Sequence, residues 1–520
     1  MNKNRFLLQG GLLLASPLLV WLALPGRFSF WPLLFICLIP LFHFLSFQRS
    51  VSAAFFSGLT TGMFFYVLQL YWIVSVLHQY GGLNWFLAVP AMLLLVFYMS
   101  VYLALFSAGF FLLQQYARFS LLLLGVPSLW VGLDWIRSWF FSGFPWMDIG
   151  YGFWATPVLL QAADLFGHFG YTFVIVFSNL LLFFLGKARY SGFQRIAGVA
   201  VLACILGVTS LYSVKRWHEI EGIIKTAETA VVGVAQGNVE QTRKWSPQER
   251  KRTVEDYVRL SRKLVDSQPV SLIVWPETAL PFYPTRNEFL QPVSTFVTNA
   301  QVALLTGAPW YEVEQSQTQR SVRHYNSAVL MEPSGDFKAA YYKSHLVPYG
   351  EYVPLKKYLS FLAPLVEAAG NFSVGTIEEP LKYDHINAGV LICFESIFGN
   401  LARSWVENGA NILINLTNDA WYGKSSAPHQ SWAMTTYRAV ETRRSLVRSA
   451  NTGISGVIDP LGRIISESEL FVEWAHADRV VLLNERTFFV RAGYLFAPIC
   501  AAMSLIILMV TCVKARQKRI

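Results

Sequence analysis

Three side chains in the second half of the chain form a chemically complete set. Glu277 stands in Trp275-Pro276-Glu277-Thr278, Lys343 in Tyr341-Tyr342-Lys343-Ser344-His345, and Cys393 closes the apolar run 387–392. A carboxylate can take a thiol proton, the thiolate can attack an acyl carbon, and a fixed cation can stabilise the oxyanion that forms. Taken singly, each has an ordinary reading. Glu277 could cap a helix, Lys343 could be a solvated surface charge, and a lone Cys after an apolar run is commonly a small buried hydrophobe. Position is what joins them. Each lies at the end of a strand-like run, where sites in α/β sheets gather. At a strand end that bends into a helix, nearby backbone N–H groups are expected to lower the Cys393 pKa and to help hold an oxyanion.

The elements that must position these residues are legible as short apolar runs. AVVGVAQGNV (230–239), SLIVWPETAL (271–280), VALLTGAPW (302–310), GVLICFE (389–395) and NILINLTND (411–419) read as strands. Being apolar on both faces and separated by helical segments, they predict a covered α/β sheet. Ser246-Pro247-Gln248-Glu249 has the form of a capping box with Pro at the first helical position, opening a charged helix to about Asp266. HYNSAVLMEP (324–333), a Ser334-Gly335 turn and FKAAYYKSHL predict an antiparallel hairpin, hence a mixed sheet. The segment 396–408 reads as the helix after Cys393. No repeat of the length seen in solenoid proteins is apparent.

Around this polar part the chain is built for a bilayer. Of its 520 residues 54% are hydrophobic and 15% aromatic, and the mean hydropathy is +0.40, too apolar for a purely soluble protein. Runs near 6–24, 28–47, 52–77, 85–114, 120–138, 169–186, 194–214 and 493–513 predict eight transmembrane helices. The net charge of +10 does not argue for nucleic acid, because the basic residues sit in loops and tail rather than in one patch. With the N-terminus in the cytoplasm, Lys3, Arg5, Arg49, Arg118, Lys187, Arg189, Arg195, Lys514, Arg516, Lys518 and Arg519 fall inside, while Lys215 and Arg216 flank the seventh span outside. The organisation expected is a seven-helix transmembrane domain over 1–214, a catalytic domain outside the cytoplasm over 215–492, and a last helix with basic tail over 493–520. Cys37, Cys204, Cys500 and Cys512 fall in apolar runs, so Cys393 is the one thiol of the polar part and has no disulfide partner there. No metal-ligand spacing is seen, and no cofactor or metal is expected.

Two polar features belong to the membrane part. Asp134 and Arg137, three apart on one helix, read as a self-neutralising pair near a helix end. The segment 138–168, broken by Gly and Pro and rich in Trp and Phe, reads as lying in the outer membrane interface.

WPET, the Lys of YYKSHLVPYGEYVP, CFES and NLTNDAWYG together resemble the nitrilase superfamily with its Glu-Lys-Cys triad. With the predicted spans, GFPW at 143–146 and GEYVP at 350–354, the chain resembles one membrane-embedded branch over essentially its whole length: the apolipoprotein N-acyltransferases of bacterial lipoprotein maturation. The resemblance implies an αββα sandwich on the periplasmic side of the inner membrane. It also implies a ping-pong reaction, in which Cys393 takes an acyl chain from a phospholipid donor as a thioester. The acceptor is the α-amino group of a diacylglyceryl-cysteine at an apolipoprotein N-terminus. Carried over by motif, Glu277 is the general base and Lys343 the transition-state stabiliser. Glu351 and Glu395 are supporting carboxylates, and Trp245 is a mobile aromatic near the substrate entrance. Phe394 stands where the family often has Tyr, and is read as a packing residue. Contact with membrane lipids and a monomeric state are expected.

The stretch 355–375 is either a lid touching the bilayer or an ordinary surface loop. On the helix after Pro428, structural pairing such as Arg438–Glu441 is expected of the charged residues. His345 and His385 are not expected to be bases. Two rival readings stay open: a membrane-anchored nitrilase-type amidase hydrolysing a soluble amide, and a transporter or receptor whose outer domain only binds ligand.

Overall fold

The structure is a computed structural model, and it describes residues 3–241, 246–285, 288–315, 320–352 and 371–517. Trp245 and most of the 355–375 stretch, including Lys356 and Lys357, lie outside the described residues. The chain divides into two compact units. One comprises Met1–His78, Leu83–Trp217 and Ala492–Ile520, and the other comprises Gln79–Gly82 and His218–Arg491.

The first unit is helical. Among the described residues, six helices are long and apolar enough to cross a membrane: Val51–Leu70, Trp85–Tyr116, Phe119–Arg137, Leu159–Leu185, Gly192–Thr226 and Phe496–Gln517. The remaining two of the eight expected runs are also helical. The first lies on the helix Lys3–Ala23, and the second, Trp31–Leu45, is broken into a 3-10 turn Trp31–Phe35 and a helix Ile39–Leu45, each with Pro in its first turn. Hydropathy sees that apolar run but not its break. Small residues let backbones approach. A Cβ on Gly58 would lie 2.3 Å from Ser107 Oγ, and one on Gly62 2.9 Å from Ser100 Cα, so two glycines a helical turn apart seat Val51–Leu70 on Trp85–Tyr116.

The 138–168 segment is exposed near its start and buried in its middle. Trp139, Phe140 and Phe141 are exposed, but Trp146, Met147, Ile149, Tyr151 and Phe153 are buried. The reason is the Arg137 side chain. It donates to Tyr66 Oη at 2.6 Å, to Asp134 Oδ1 at 3.0 Å and to Asp148 Oδ1, and Asp148 Oδ2 lies 2.9 Å from His168 Nε2. The predicted Asp134–Arg137 pair exists, but as part of a network joining three helices and the broken segment.

The second unit is built on two six-stranded sheets. In chain order the strands are β1 (Thr229–Gln236), β2 (Leu272–Val274), β3 (Ala303–Gln315), β4 (Arg320–Met331), β5 (Phe337–Tyr342), β6 (Leu381–Tyr383), β7 (Ile386–Ile392), β8 (Ile412–Thr417), β9 (Ser445–Ala450), β10 (Gly456–Ile458), β11 (Ile464–Glu467) and β12 (Trp474–Val481). The sheets run β12-β1-β2-β3-β4-β5 and β11-β10-β9-β8-β7-β6. In each, three parallel strands carry one antiparallel strand on one edge and two on the other. Both sheets are mixed, as the hairpin predicts. Strand β1 packs against β9 and β4 against β7, helices Pro247–Ser267 and Gln291–Ala300 line the first sheet, and Gly399–Glu407 and Ala427–Thr442 line the second. This is an αββα layering. Pro247–Ser267 begins where the capping signal puts it, with the Ser246 side chain accepting from Glu249 N. On Ala427–Thr442 the expected Arg438–Glu441 pair forms at 2.9 Å, fully buried.

Candidate active site

Three strand ends of the second unit deliver the three chemical residues. From β2 the chain leaves through Trp275 and Pro276 to Glu277. Trp275 anchors this exit, because its Nε1 donates to Ser261 Oγ at 2.8 Å and its ring stacks on Tyr257 with centroids 5.1 Å apart. Gly307 on the neighbouring β3 lets the exit fold close. A Cβ there would lie 2.6 Å from Glu277 Cα, a distance no side chain tolerates.

Lys343 follows β5 directly and is 1% exposed, which overturns the solvated-charge reading. Its Nζ donates to Glu351 Oε1 at 2.9 Å and lies 4.0 Å from Glu277 Oε1. Asn326, on β4, completes the cluster. Its Nδ2 donates to Glu277 Oε1 at 2.8 Å and to Glu351 Oε1 at 2.9 Å, and its carbonyl accepts from Lys343 N at 2.9 Å. Glu351 Oε2 in turn accepts from Val347 N at 2.8 Å. Burial opposes the Lys343 charge, but Glu351 and Glu277 outweigh it and hold the ammonium above the usual lysine range. A cation this well compensated stays charged at any physiological pH.

Cys393 follows β7 at the head of a 3-10 turn, Cys393–Ile397. The helix expected from 396 begins later, at Gly399, so the bend is tighter than the sequence suggests. The backbone at Cys393 has φ 54°, and Thr278, next to Glu277, has φ 52°. Such left-handed conformations cost on the order of 1 kcal/mol or more in residues other than Gly, and cluster where structure is spent on function. Burial, reinforced by the Glu277 charge, pushes the Cys393 thiol up to about 12 against the opposing pull of Lys343 and a hydrogen bond with Thr417. This corrects the expectation of a lowered thiol pKa. Desolvation and a facing carboxylate outweigh the nearby ammonium. The thiol is therefore held protonated until a base takes its proton.

Glu395 ties the Lys343 and Cys393 strand ends together. Its Oε1 accepts from Tyr341 Oη at 2.8 Å, Ser344 N at 2.8 Å and His345 N at 3.0 Å, and its Oε2 accepts from Ile392 N at 2.7 Å. Buried completely, its carboxyl is pushed up by burial against those donors. Phe394 is buried and packs edge-on to Phe398 with centroids 5.1 Å apart, in keeping with a packing role. His345 lies against Phe398 and His385 is on the surface beside Glu228 and Asp384. Among the described residues, no group of three or more His, Cys, Asp or Glu side chains is arranged to hold a metal ion.

Sequence reasoning singled out Glu277, Lys343, Cys393, Glu351 and Glu395, and the structure brings these five into one cluster. Asn326 escaped notice. Its one signal is an amide within the strand-like run 324–333, beside Tyr325.

Comparison with known proteins bears on both units. Residues 16–181 match the family described as apolipoprotein N-acyltransferase N-terminal domain, and residues 228–478 match the carbon-nitrogen hydrolase family. Among curated proteins, the apolipoprotein N-acyltransferase of Geobacter metallireducens is 38% identical over 459 residues, spanning 88% of this chain and 86% of that one. The one from Methylococcus capsulatus is 34% identical, covering 85% and 86%, and the one from Vibrio cholerae 30% identical, covering 85% and 86%. The chain belongs to the apolipoprotein N-acyltransferases, enzymes whose catalytic unit has the carbon-nitrogen hydrolase fold.

Proposed function

We propose that this enzyme moves a fatty acyl chain from a phospholipid, through a thioester on Cys393, to the α-amino group of the diacylglyceryl-cysteine that begins an apolipoprotein. The observation that carries this reading is the burial of Lys343 between Glu351 and Glu277 beside a thiol pushed up to about 12. A thiol so weakly acidic needs a base at hand, and a cation so firmly held suits a transient negative charge.

In the first half-reaction, Glu277 takes the Cys393 proton as Sγ attacks the ester carbonyl of the lipid. Lys343 stabilises the tetrahedral oxyanion. Collapse breaks the ester C–O bond, and Glu277 returns the proton to the departing lysophospholipid oxygen. In the second, the acceptor amine attacks the thioester and loses a proton to Glu277. Collapse then breaks the C–S bond, and the proton passes back to Cys393. Asn326 and Glu351 position the base and the cation throughout, and Glu395 fixes the turn that bears the nucleophile.

The distribution of Lys and Arg supports a catalytic domain over 215–492 outside the cytoplasm, on the periplasmic side of a bacterial inner membrane, flanked by membrane domains over 1–214 and 493–520. Intact-mass measurement after incubation with phospholipid and no acceptor tests the central step. The expected result is a mass gain of one fatty acyl group, removed by neutral hydroxylamine and absent in Cys393→Ala. A diacylated lipopeptide should then discharge it. No adduct on folded protein overturns the thioester route, and discharge by water alone favours the amidase reading.

A further inference from the structure

Behind Cys393 lies a buried polar chain that the mechanism above does not use. In the β7–β8 register Ile392 pairs with Leu416, which sets Thr417 beside Cys393, where its hydroxyl favours a negative charge on the sulfur. Thr417 Oγ1 also donates to Asp419 Oδ1 at 2.9 Å, and Asp419 Oδ2 accepts from Arg448 Nη2 at 2.8 Å. Arg448, fully buried on β9, is held in place by Asn415 Oδ1 at 2.9 Å and by Ser431 and Thr435 hydroxyls at 3.1 Å. Space for Asp419 is made by Gly453, where a Cβ would lie 2.1 Å from Asp419 Oδ2.

A hydroxyl has one hydrogen to give. While sulfur is a thiol, the Thr417 hydrogen serves the Asp419 carboxylate. Once sulfur carries a negative charge it becomes the stronger acceptor beside that hydroxyl, and Asp419 can release the hydrogen because Arg448 still compensates its charge. We propose that Thr417 is a positioning residue for the nucleophile, a hydroxyl that turns from Asp419 to the Cys393 sulfur as the thiolate forms, with Asp419 and Arg448 as its fixed mount. No proton is transferred in this step. The thiol proton goes to Glu277, and the Thr417 hydrogen stays on its own oxygen while its acceptor changes. The same turn is repeated when the thioester breaks and sulfur leaves.

The inference rests on Cys393 as the nucleophile, so its test reads the thiol directly. The full-length enzyme is alkylated with iodoacetamide across a pH series, and modification is followed on the Cys393 peptide by mass spectrometry. Titratable and charged groups facing that thiol are Glu277, Lys343, Asp419 and Tyr422, and all stay in place in the variants compared. Thr417→Val, which keeps the shape and removes the hydroxyl, should slow alkylation about tenfold and move its pH profile upward, as the loss of a hydrogen bond to a charged acceptor requires. Thr417→Ser should follow the parent profile. If the Val variant fails to fold, Thr417→Ala carries the same comparison with a smaller side chain. A parent-like profile in the hydroxyl-free variant overturns the proposal, and so does a Ser variant as slow as the hydroxyl-free one. Absence of an acyl adduct in the parent enzyme would instead sink the thioester reading and leave the alkylation comparison standing.

Discussion

Each unit buries one cation between two carboxylates, yet the two clusters are built to different ends. In the helical unit, Arg137 reaches Asp134, Asp148 and Tyr66 at once, and Asp148 is shared with His168. The planar guanidinium fork meets several acceptors in fixed directions, and what it joins is architecture: helices Val51–Leu70, Phe119–Arg137 and Leu159–Leu185 with the broken segment around Asp148. In the hydrolase unit, Lys343 holds Glu351 at 2.9 Å but stands 4.0 Å from Glu277. One carboxylate is bonded to the ammonium and the other is only near it, steadied by Asn326. That looser contact leaves Glu277 able to change protonation state without taking the cation with it. A buried charge cluster supports a fold when every bond is closed, and supports chemistry when one member is held near but not clamped.

Breaking either cluster should therefore fail in a different way. Glu277→Gln should reduce the single-turnover rate of acyl-enzyme formation by about 10²–10⁴-fold, the usual contribution of a general base, while leaving the melting temperature within a few degrees. The same substitution removes the charge that reinforces burial at Cys393, so the alkylation midpoint of the thiol should fall below that of the parent enzyme. A rate loss without that fall would mean that Glu277 does not face the thiol. Arg137→Leu should do the reverse. It strands Asp134 and Asp148, with an expected loss of roughly 3–5 kcal/mol of stability, read by thermal unfolding in detergent, while the molecules that remain folded keep their acyl-enzyme rate. An Arg137 variant that is stable but inactive would show that the helical cluster takes part in the chemistry.

Lys343→Arg sharpens the contrast further. A guanidinium suits the Arg137 site but not the single short contact to Glu351, and activity should drop by about 10²-fold or more, as when one oxyanion donor is removed. The smallest of these effects should come from Asn326→Ala. Loss of its bonds to Glu277 and Glu351 should lower the rate about tenfold, the order of one hydrogen bond to a charged group. For pH, the sign follows from Lys343, whose folded pKa is raised above the ordinary lysine value. Its contribution to stability is fully present below the unfolded value of about 10.5 and lost only as pH rises through the higher folded one. Unfolding measured across about pH 6–9 should show no step from this residue, well below the unfolded lysine range.

Much of the hydrolase unit could be read in the sequence because apolar runs alternate with helical segments and because Glu277, Lys343 and Cys393 all stand at run ends. The unread part has a common cause. Arg438, Arg443, Arg444 and Arg448 are each at most 1% exposed, and each has at least one partner on a distant segment: Ile397 O for Arg438, Pro460 O for Arg443, Glu485 O for Arg444 and Asp419 for Arg448. A charged residue in a run signals solvent until its partners are known. For that reason β9, Ser445–Ala450 with Arg448 in its middle, was invisible as a strand, and the polar chain behind Cys393 with it. In the helical unit the apolar runs were placed correctly, but Pro32 and Pro40 shorten one of them. The direction of the thiol shift was missed because burial is a tertiary property.

Glu395 gives the site a mechanical property. Since one carboxylate accepts from Ser344 and His345 just past Lys343 and from Ile392 just before Cys393, neither strand end can loosen without uncovering a buried charge. The cation and the nucleophile should thus open and reclose as one cooperative unit. In hydrogen–deuterium exchange the amides of Ser344, His345 and Ile392 should share a single protection factor, and a Glu395→Ala substitution should split it into two.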